Sequence, residues 1–255
     1  MTSKEIEDFN YKLYEHEIAV YGIDKNVGPN DYFRKLTEIK LDYVRQYGRK
    51  KKILDIGCGG GDYLFELKDT IAGGFGIDYT DKAINAANAR EKVLGASHLE
   101  FIKANARQLP FEDGAFDLVF SFSALAYIPQ KEEVVKEMTR VLVKNGIAIL
   151  EIGNLRSLNT IVCASYPEYT KACHISITAM KKMLLSSHLE ILQWRAFGIL
   201  PFWADRPAWL RPLLHPRWKE FFQKEIKSKM LDEWVSNCVF LKPWAYRQFF
   251  ICRKG

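Results

Sequence analysis

The spacing of hydrophobic and polar positions changes several times along the chain, and those changes divide it. Residues 2–21 set Ile6, Phe9, Leu13 and Val20 at roughly helical spacing behind Thr2 and Glu5, a capping-box pair, so an amphipathic helix opens the chain. After a loop with Gly22, Gly28 and Pro29, Asn30 or Asp31 is placed to cap a second helix. Its buried face is Phe33, Leu36, Ile39, Tyr43 and Tyr47, and it ends at Gly48. From there short apolar runs alternate with helical patterns. Strands are expected at 53–56, up to Asp78, at 99–103, up to Ser121, and at 147–152; helices are expected at 63–68, from Thr80 or Asp81 to about Val93, and through Val134, Val135, Met138, Val141 and Leu142. Residues 153–175 read as irregular, followed by a short helix at 178–187, a sixth strand at 189–200 and a seventh at 246–253. Strict alternation of strand and helix predicts an α/β fold: a doubly wound, seven-stranded, mostly parallel, Rossmann-like sheet, with N-terminal helices and a helical insertion at 201–245 between the last two strands.

The first strand carries the chemistry. Residues 53–61 read I-L-D-I-G-C-G-G-G, a buried strand ending against a loop almost without side chains, where a ligand can touch backbone. Asp78 ends the next strand about 20 residues on, the separation at which a carboxylate in a nucleotide-binding βαβ unit reaches ribose hydroxyls. A dinucleotide fingerprint wants a third small residue at position 62, and this chain has Asp62.

The D-I-G-C-G-G-G form beginning at Asp55 resembles motif I of the class I S-adenosylmethionine-dependent methyltransferases. The stretch A-N-A-R-Q-L-P-F after the third strand and the D-G-A-F-D-L-V segment before Ser121 extend that resemblance over about 52–152. It implies a last strand running antiparallel between strands five and six, S-adenosyl-L-methionine as cofactor, and transfer of a methyl group to a small or medium-sized acceptor at oxygen, such as a sugar, a lipid-linked saccharide or a natural product. Carried onto this sequence, Asp55, Gly57 and Gly59 hold the aminocarboxypropyl end, Asp78 binds the ribose, Tyr79 stacks on adenine, Asn105 and Ala106 meet its polar edge, and Ser121 lies at the ligand edge of the fourth strand. Asn105 stands where the family usually has Asp; its amide oxygen can still accept a hydrogen bond, without charge assistance, and an ordinary turn role is the competing reading. The resemblance also implies one methyltransferase domain over 1–255: a helical cap at 1–48, a cofactor-binding core at 49–200, the insertion at 201–245 and the last strand at 246–255. N-terminal helices of the family often close over the cofactor, which makes Tyr11, Tyr14 and Tyr21 capping candidates; aromatic packing within the helical pair is the simpler reading.

On the acceptor side the candidates are His174, Glu151 and Tyr127. His174 lies in the irregular segment expected to pass over the site, and its side chain suits proton transfer. Glu151 lies at the ligand edge of the fifth strand, and Tyr127 is placed to line the substrate chamber. Tyr127 and Lys131 share the Y-x-x-x-K spacing of short-chain dehydrogenases, but Pro129 between them prevents the continuous helix that pair requires.

Charge and composition alter the picture only at the C-terminal end. Residues 195–255 hold 12 Lys and Arg against 5 Asp and Glu, and all six tryptophans lie at position 194 or beyond. A single helix is expected at 218–234. Three uses of the insertion stay open: a structural lid, an aromatic chamber for an anionic or ring-bearing substrate, and a surface for peripheral membrane contact. No nucleic-acid motif accompanies the basic residues, and the run 49–52 reads as solvated surface. Five cysteines without a C-x-x-C pair suggest neither a disulfide framework nor a structural metal, and a reducing cytoplasm fits. The acidic first twenty residues do not resemble a signal peptide, and no apolar run reaches the ~18 residues of a membrane span. Two readings from other classes remain: a regulatory or scaffold protein that binds the cofactor without catalysis, and a nicotinamide oxidoreductase.

Overall fold

A computed structural model of the chain describes residues 1–21, 32–166, 168 and 171–255, the side chains of 16–21 excepted. The loop at 22–31, the caps Asn30 and Asp31, and the Tyr21 ring therefore lie outside the described residues. Helix α1 (Ser3–Tyr21) begins at the expected capping box, in which Thr2 N donates to Glu5 Oε2 at 2.7 Å and Glu5 N to Thr2 Oγ1 at 3.3 Å. Helix α2 (Tyr32–Gly48) turns a different line of residues inward than the apolar spacing suggested. Tyr32, Leu36, Lys40, Leu41 and Val44 are buried, while Phe33, Ile39, Tyr43 and Tyr47 flank that line and are partly covered.

The sheet follows the predicted alternation. Strands β1 (Lys52–Ile56), β2 (Gly73–Asp78), β3 (Leu99–Lys103), β4 (Phe116–Ser121), β5 (Leu142–Gly153) and β6 (Leu189–Phe197) are joined by helices α3 (Asp62–Leu67), α4 (Asp81–Leu94), α5 (Lys131–Val141), α6 (Leu158–Ala164) and α7 (Ile177–Ser186). Strands β7 (Glu225–Ile226) and β8 (Lys229–Met230) form a separate small hairpin, and β9 (Arg247–Lys254) closes the main sheet, whose order is β3-β2-β1-β4-β5-β9-β6. Pairing is parallel from β3 through β5, and β9 runs antiparallel between β5 and β6, as the sequence resemblance implied. Side chains alternate between two cores across the sheet: Ile53, Leu118 and Phe120 pack with α2 and α3, and Leu54, Ile56 and Val119 pack with α5 and α7. Strand order reverses between β1 and β4, and open α/β sheets bind ligands at the carboxyl end of such a switch point.

Three expectations are corrected. Leu142, expected to be helical ahead of a strand at 147–152, takes extended backbone and opens β5. Residues 153–175 are not wholly irregular, because Ser157 caps α6 by accepting from Thr160 N. The stretch 218–234 is not one helix: after the single turn of α8 (Arg211–Leu214), α9 (Pro216–Phe222) ends in the β7–β8 hairpin, whose turn residues Lys227 and Ser228 take φ of 50° and 60°, and α10 (Leu231–Ser236) starts beyond it. Neither Gly nor Pro stands between 217 and 242 to mark that turn locally.

Because β9 runs opposite to β6, the insertion leaves and re-enters the sheet at the same carboxyl edge. Its anchor is Asp232 on α10. That buried carboxylate accepts from Tyr32 Oη at 2.6 Å, Gly198 N at 2.8 Å, Ile199 N at 3.2 Å and Ser236 Oγ at 2.9 Å. A second, small core of Val162, Tyr166, Ala204, Leu210 and Leu214 joins the insertion to α6. Replacing Asp232 with Ala strands four buried donors, so urea denaturation should show a loss of about 3 kcal/mol or more for Asp232→Ala and about 1 kcal/mol for Tyr32→Phe.

Candidate functional site

At the switch point the end of β1 and the loop after it form a cradle. Gly57 takes φ of 77°, and a Cβ there would lie 2.3 Å from the Ala124 Cβ, so only glycine lets the loop pass the segment after β4. Gly57 N and Cys58 N both donate to the Ile77 carbonyl, pinning the loop to the end of β2. Asp78 Oδ2 accepts from Gly59 N at 3.0 Å, while its Oδ1 accepts from Thr80 N and Thr80 Oγ1. Thr80 is the residue before α4, as expected, but its hydroxyl serves Asp78 and not the helix end. Asp55 is buried beside this loop, and its Oδ2 has no hydrogen-bond partner among the described residues. Burial, with Asp78 and Asp62 nearby, pushes its carboxyl well above the usual range, and Lys40 opposes that shift. A buried acceptor oxygen left over at a ligand edge is costly unless a donor arrives.

The other sequence-predicted cofactor residues fall into two groups. Gly57, Gly59, Asp55, Asp78 and Tyr79 come together around the loop, with Tyr79 exposed at the rim. Asn105 and Ala106 follow β3. Asn105 Oδ1 accepts from Arg107 N at 2.9 Å, the turn bond weighed against an adenine contact, and Arg107 is in turn held by Glu7 of α1 at 3.0 Å. Ser121 departs from its expected part: its side chain is fully buried and donates to the Ile56 carbonyl at 2.9 Å, so it ties β4 to β1.

Helix α1 lies across this edge. The Tyr11 ring meets Tyr79 edge-on at 5.4 Å, Tyr14 Oη would stand 3.3 Å from a Cβ at Gly59, and Lys82 Nζ donates to the Glu15 carbonyl. The Asn10 amide bridges the Tyr127 and Lys171 carbonyls. Tyr11 and Tyr14 therefore cover the glycine loop and are not simply packed within a pair of helices.

On the acceptor side a buried charge cluster sits at the end of β5. Glu151 meets Lys40 Nζ of α2 at 2.7 Å, Arg247 of β9, and Ser123 Oγ at 3.4 Å. Burial raises its pKa, but Arg247 and then Lys40 outweigh that and hold it at about 2. This corrects the reading of Glu151 as a base: a carboxylate clamped between two cations keeps its charge but hardly takes up a proton near neutral pH. Lys40 and Arg247 were missed in the sequence. Lys40 left a signal, since it shares the α2 line of Leu36 and Val44 at four-residue spacing.

His174 packs on Gly153, where a Cβ would come 2.4 Å from its Cδ2, and against the Tyr246 ring at 5.1 Å. Its Nδ1 lies 2.8 Å from Thr160 Oγ1, whose proton goes to the Asn154 carbonyl at 2.8 Å. That relay assigns the proton to Nδ1 and leaves Nε2 a buried acceptor without a partner among the described residues. Burial, then Lys131 and Arg247, lower the imidazole pKa to about 4, so it is neutral and weakly basic. Tyr127 stands partly exposed nearby, and Lys131 is buried with its Nζ on the Ile128 carbonyl and its pKa lowered by burial to about 8.

The Glu151 cluster sets an acid limit on stability. Its folded pKa of about 2 lies below the unfolded carboxyl value, so the stabilisation is present above about pH 4.5 and is lost as pH falls toward 2. Denaturation followed from pH 6 to pH 2 should show a fall of the order of 3 kcal/mol from this group, absent in Glu151→Gln, which should be less stable than the wild type at pH 7.

Residues 48–233 match the family described as the methyltransferase domain. A demethylmenaquinone methyltransferase of Lactococcus lactis is 36% identical over 97 residues, covering 37% of this chain and 38% of its own length. A sterol 24-C-methyltransferase of Aspergillus fumigatus is 38% identical over 108 residues, covering 41% of this chain and 29% of its own length. The match to such curated relatives thus spans about half of their length or less. Among solved structures, a geranyl diphosphate C-methyltransferase of Streptomyces coelicolor A3(2), in complex with Mg2+, geranyl diphosphate and S-adenosyl-L-homocysteine, superposes with a TM-score of 0.68 at 13% identity over 98% of both chains, a likeness of fold. With the glycine cradle, the two acids and this match over most of its length, the chain belongs to the methyltransferase domain family.

Proposed function

We propose that this protein is an S-adenosyl-L-methionine-dependent methyltransferase acting on a small or medium-sized acceptor. The observation that carries the reading is the Asp55 Oδ2 atom, buried at the glycine loop with no donor among the described residues. An α-ammonium group fits it: three N–H donors and a positive charge meet an acceptor that burial has made costly to leave unpaired. Nicotinamide dinucleotides bring phosphates to this position, and a phosphate would drive the already raised Asp55 carboxyl further toward its neutral form, whereas an ammonium group favours its ionised form, which supports methyl transfer over the oxidoreductase reading.

In this reading Asp55 and the backbone at Gly57 and Gly59 hold the aminocarboxypropyl end, and Asp78, already fixed by Gly59 N and Thr80, presents its remaining lone pairs to the ribose hydroxyls. Tyr79 packs on the adenine, whose polar edge meets the chain at Asn105 and Ala106. The bound cofactor supplies an electrophilic methyl group on a sulfonium. The chain's task is then to align the acceptor and keep water out, and Tyr11 and Tyr14 of α1 over the loop and the insertion over the carboxyl edge serve that end.

The acceptor atom follows from the weakness of the bases. Glu151 and His174 titrate near 2 and 4, too low to draw a proton from a sugar hydroxyl. An oxygen already acidic, in an enol or phenol, or the carbon conjugated to it, needs no such base, and the cations Lys131 and Arg247 favour its ionised form. Two of the relatives carry C-methyltransferase in their names, which supports the carbon alternative. His174 Nε2 and Tyr127 then position the acceptor.

Calorimetric titration of the full chain with S-adenosyl-L-methionine, S-adenosyl-L-homocysteine and NADPH tests the cofactor. The first two should bind, with affinity lowered roughly 10- to 100-fold in Asp78→Ala and in Asp55→Ala. Binding of NADPH alone sinks the reading. Methyl transfer from labelled cofactor should then favour phenolic and enolic acceptors over sugars, and saturable cofactor binding with no transfer to any acceptor would point to a regulatory or scaffold role.

A further inference from the structure

The insertion carries a surface that methyl transfer does not explain. Five of the six tryptophans, Trp203, Trp209, Trp218, Trp234 and Trp244, are exposed, where a structural lid would bury them. Two of them belong to one compact patch. Trp218 and Phe221 lie on α9, Ile226 on the hairpin that springs from the end of that helix, and Trp234 on α10 just beyond; they are 37, 45, 49 and 48% exposed.

These rings are held outward by the fold. Trp218 Nε1 donates to the Pro212 carbonyl at 2.8 Å and Trp234 Nε1 to the Ile226 carbonyl at 3.1 Å, so the polar edge of each indole is satisfied inward while the apolar face meets solvent. Lysines alternate with them: Lys224 lies over the Phe221 ring at 5.7 Å, Lys229 over the Trp234 ring at 5.5 Å, and Lys227 stands at the hairpin tip. Of the nearby acids, Asp232 is buried, Glu225 is paired with Lys35 at 2.7 Å and Glu233 accepts from Met230 N at 3.0 Å, so the exposed Lys224, Lys227 and Lys229 outnumber Glu220 and give the patch a small net positive charge.

We infer that this patch binds the surface of an anionic phospholipid bilayer. Indoles with satisfied N–H groups and exposed faces, ringed by lysines, match the two halves of that surface, an apolar boundary under a layer of negative headgroups. Lys224, Lys227 and Lys229 are all exposed, where a cleft built for a small anion would enclose them. Both ends of the insertion lie at the carboxyl edge of the sheet, the edge that also carries the candidate site. The contact stands independently of the proposed reaction and is measured without cofactor or acceptor.

The test is sedimentation of the full chain with vesicles of phosphatidylcholine alone or with 40 mol% phosphatidylglycerol, roughly the anionic content of a strongly charged leaflet. Binding is expected only to the anionic vesicles, reversed by about 0.5 M salt, and weakened roughly a hundredfold in K224Q/K227Q/K229Q. W218A/W234A should weaken binding while leaving the circular dichroism of the fold unchanged. In the wild-type chain, phospholipids brominated on the acyl chain should quench tryptophan emission, a readout that needs no variant. Failure of the wild type to sediment with anionic vesicles, or binding without acyl-chain quenching, overturns the inference. So does self-association in sedimentation velocity that W218A/W234A abolishes, which would assign the patch to a second copy of the chain.

Discussion

A buried carboxylate between two cations joins parts of this chain that lie far apart in sequence. Glu151 comes from β5, Arg247 from the start of β9 and Lys40 from α2, and each is costly to bury without the others. Lys40 also lies 5.4 to 5.9 Å from the Tyr63, Phe122 and Phe249 rings, so its charge is met by aromatic faces as well as by Glu151. The cluster fixes α2 over the sheet and the first residue of β9 beside the end of β5. It therefore fixes where the insertion re-enters and how the acceptor side of the site is walled.

The reversed strand has a second consequence. Were β9 parallel to its neighbours, the chain between β6 and β9 would have to cross the sheet to the opposite edge. Running antiparallel, it needs no crossover, and its whole length is available to build over the carboxyl edge. Asp232 then holds that structure to Tyr32 and the end of β6, while the core of Val162, Tyr166 and Leu210 holds it to α6. The site is thus covered by α1 from one end of the chain and by the insertion from the other.

How much of this was legible depended on whether the signal was local. The glycine loop, Asp55 and Asp78 were readable because backbone conformation and strand ends are dictated by residues next to one another; alternation pointed to a doubly wound sheet, and the family resemblance placed the reversed last strand between strands five and six. Glu151 was readable as a residue of the site but not in its role, since the cations that depress its pKa come from α2 and β9. His174 was likewise found, yet its tautomer depends on Thr160 and Asn154, which meet it only after α6 forms. The face of α2 was misjudged by about one position because a lysine stem takes a place in the core that periodicity reserves for apolar residues.

The tryptophans show the opposite error. Indoles clustered in a short segment are ordinarily buried, and a lid was the natural expectation. What decided otherwise is that α9, the hairpin and α10 are too short to enclose so many large rings: three pieces of two turns or fewer have little interior, and Phe222, Met230 and Leu214 already fill it. Trp218 and Trp234 satisfy their N–H groups on the Pro212 and Ile226 carbonyls and stay exposed. An insertion of this length can build either a closed core or a broad apolar exterior over the site, and here it has built the exterior.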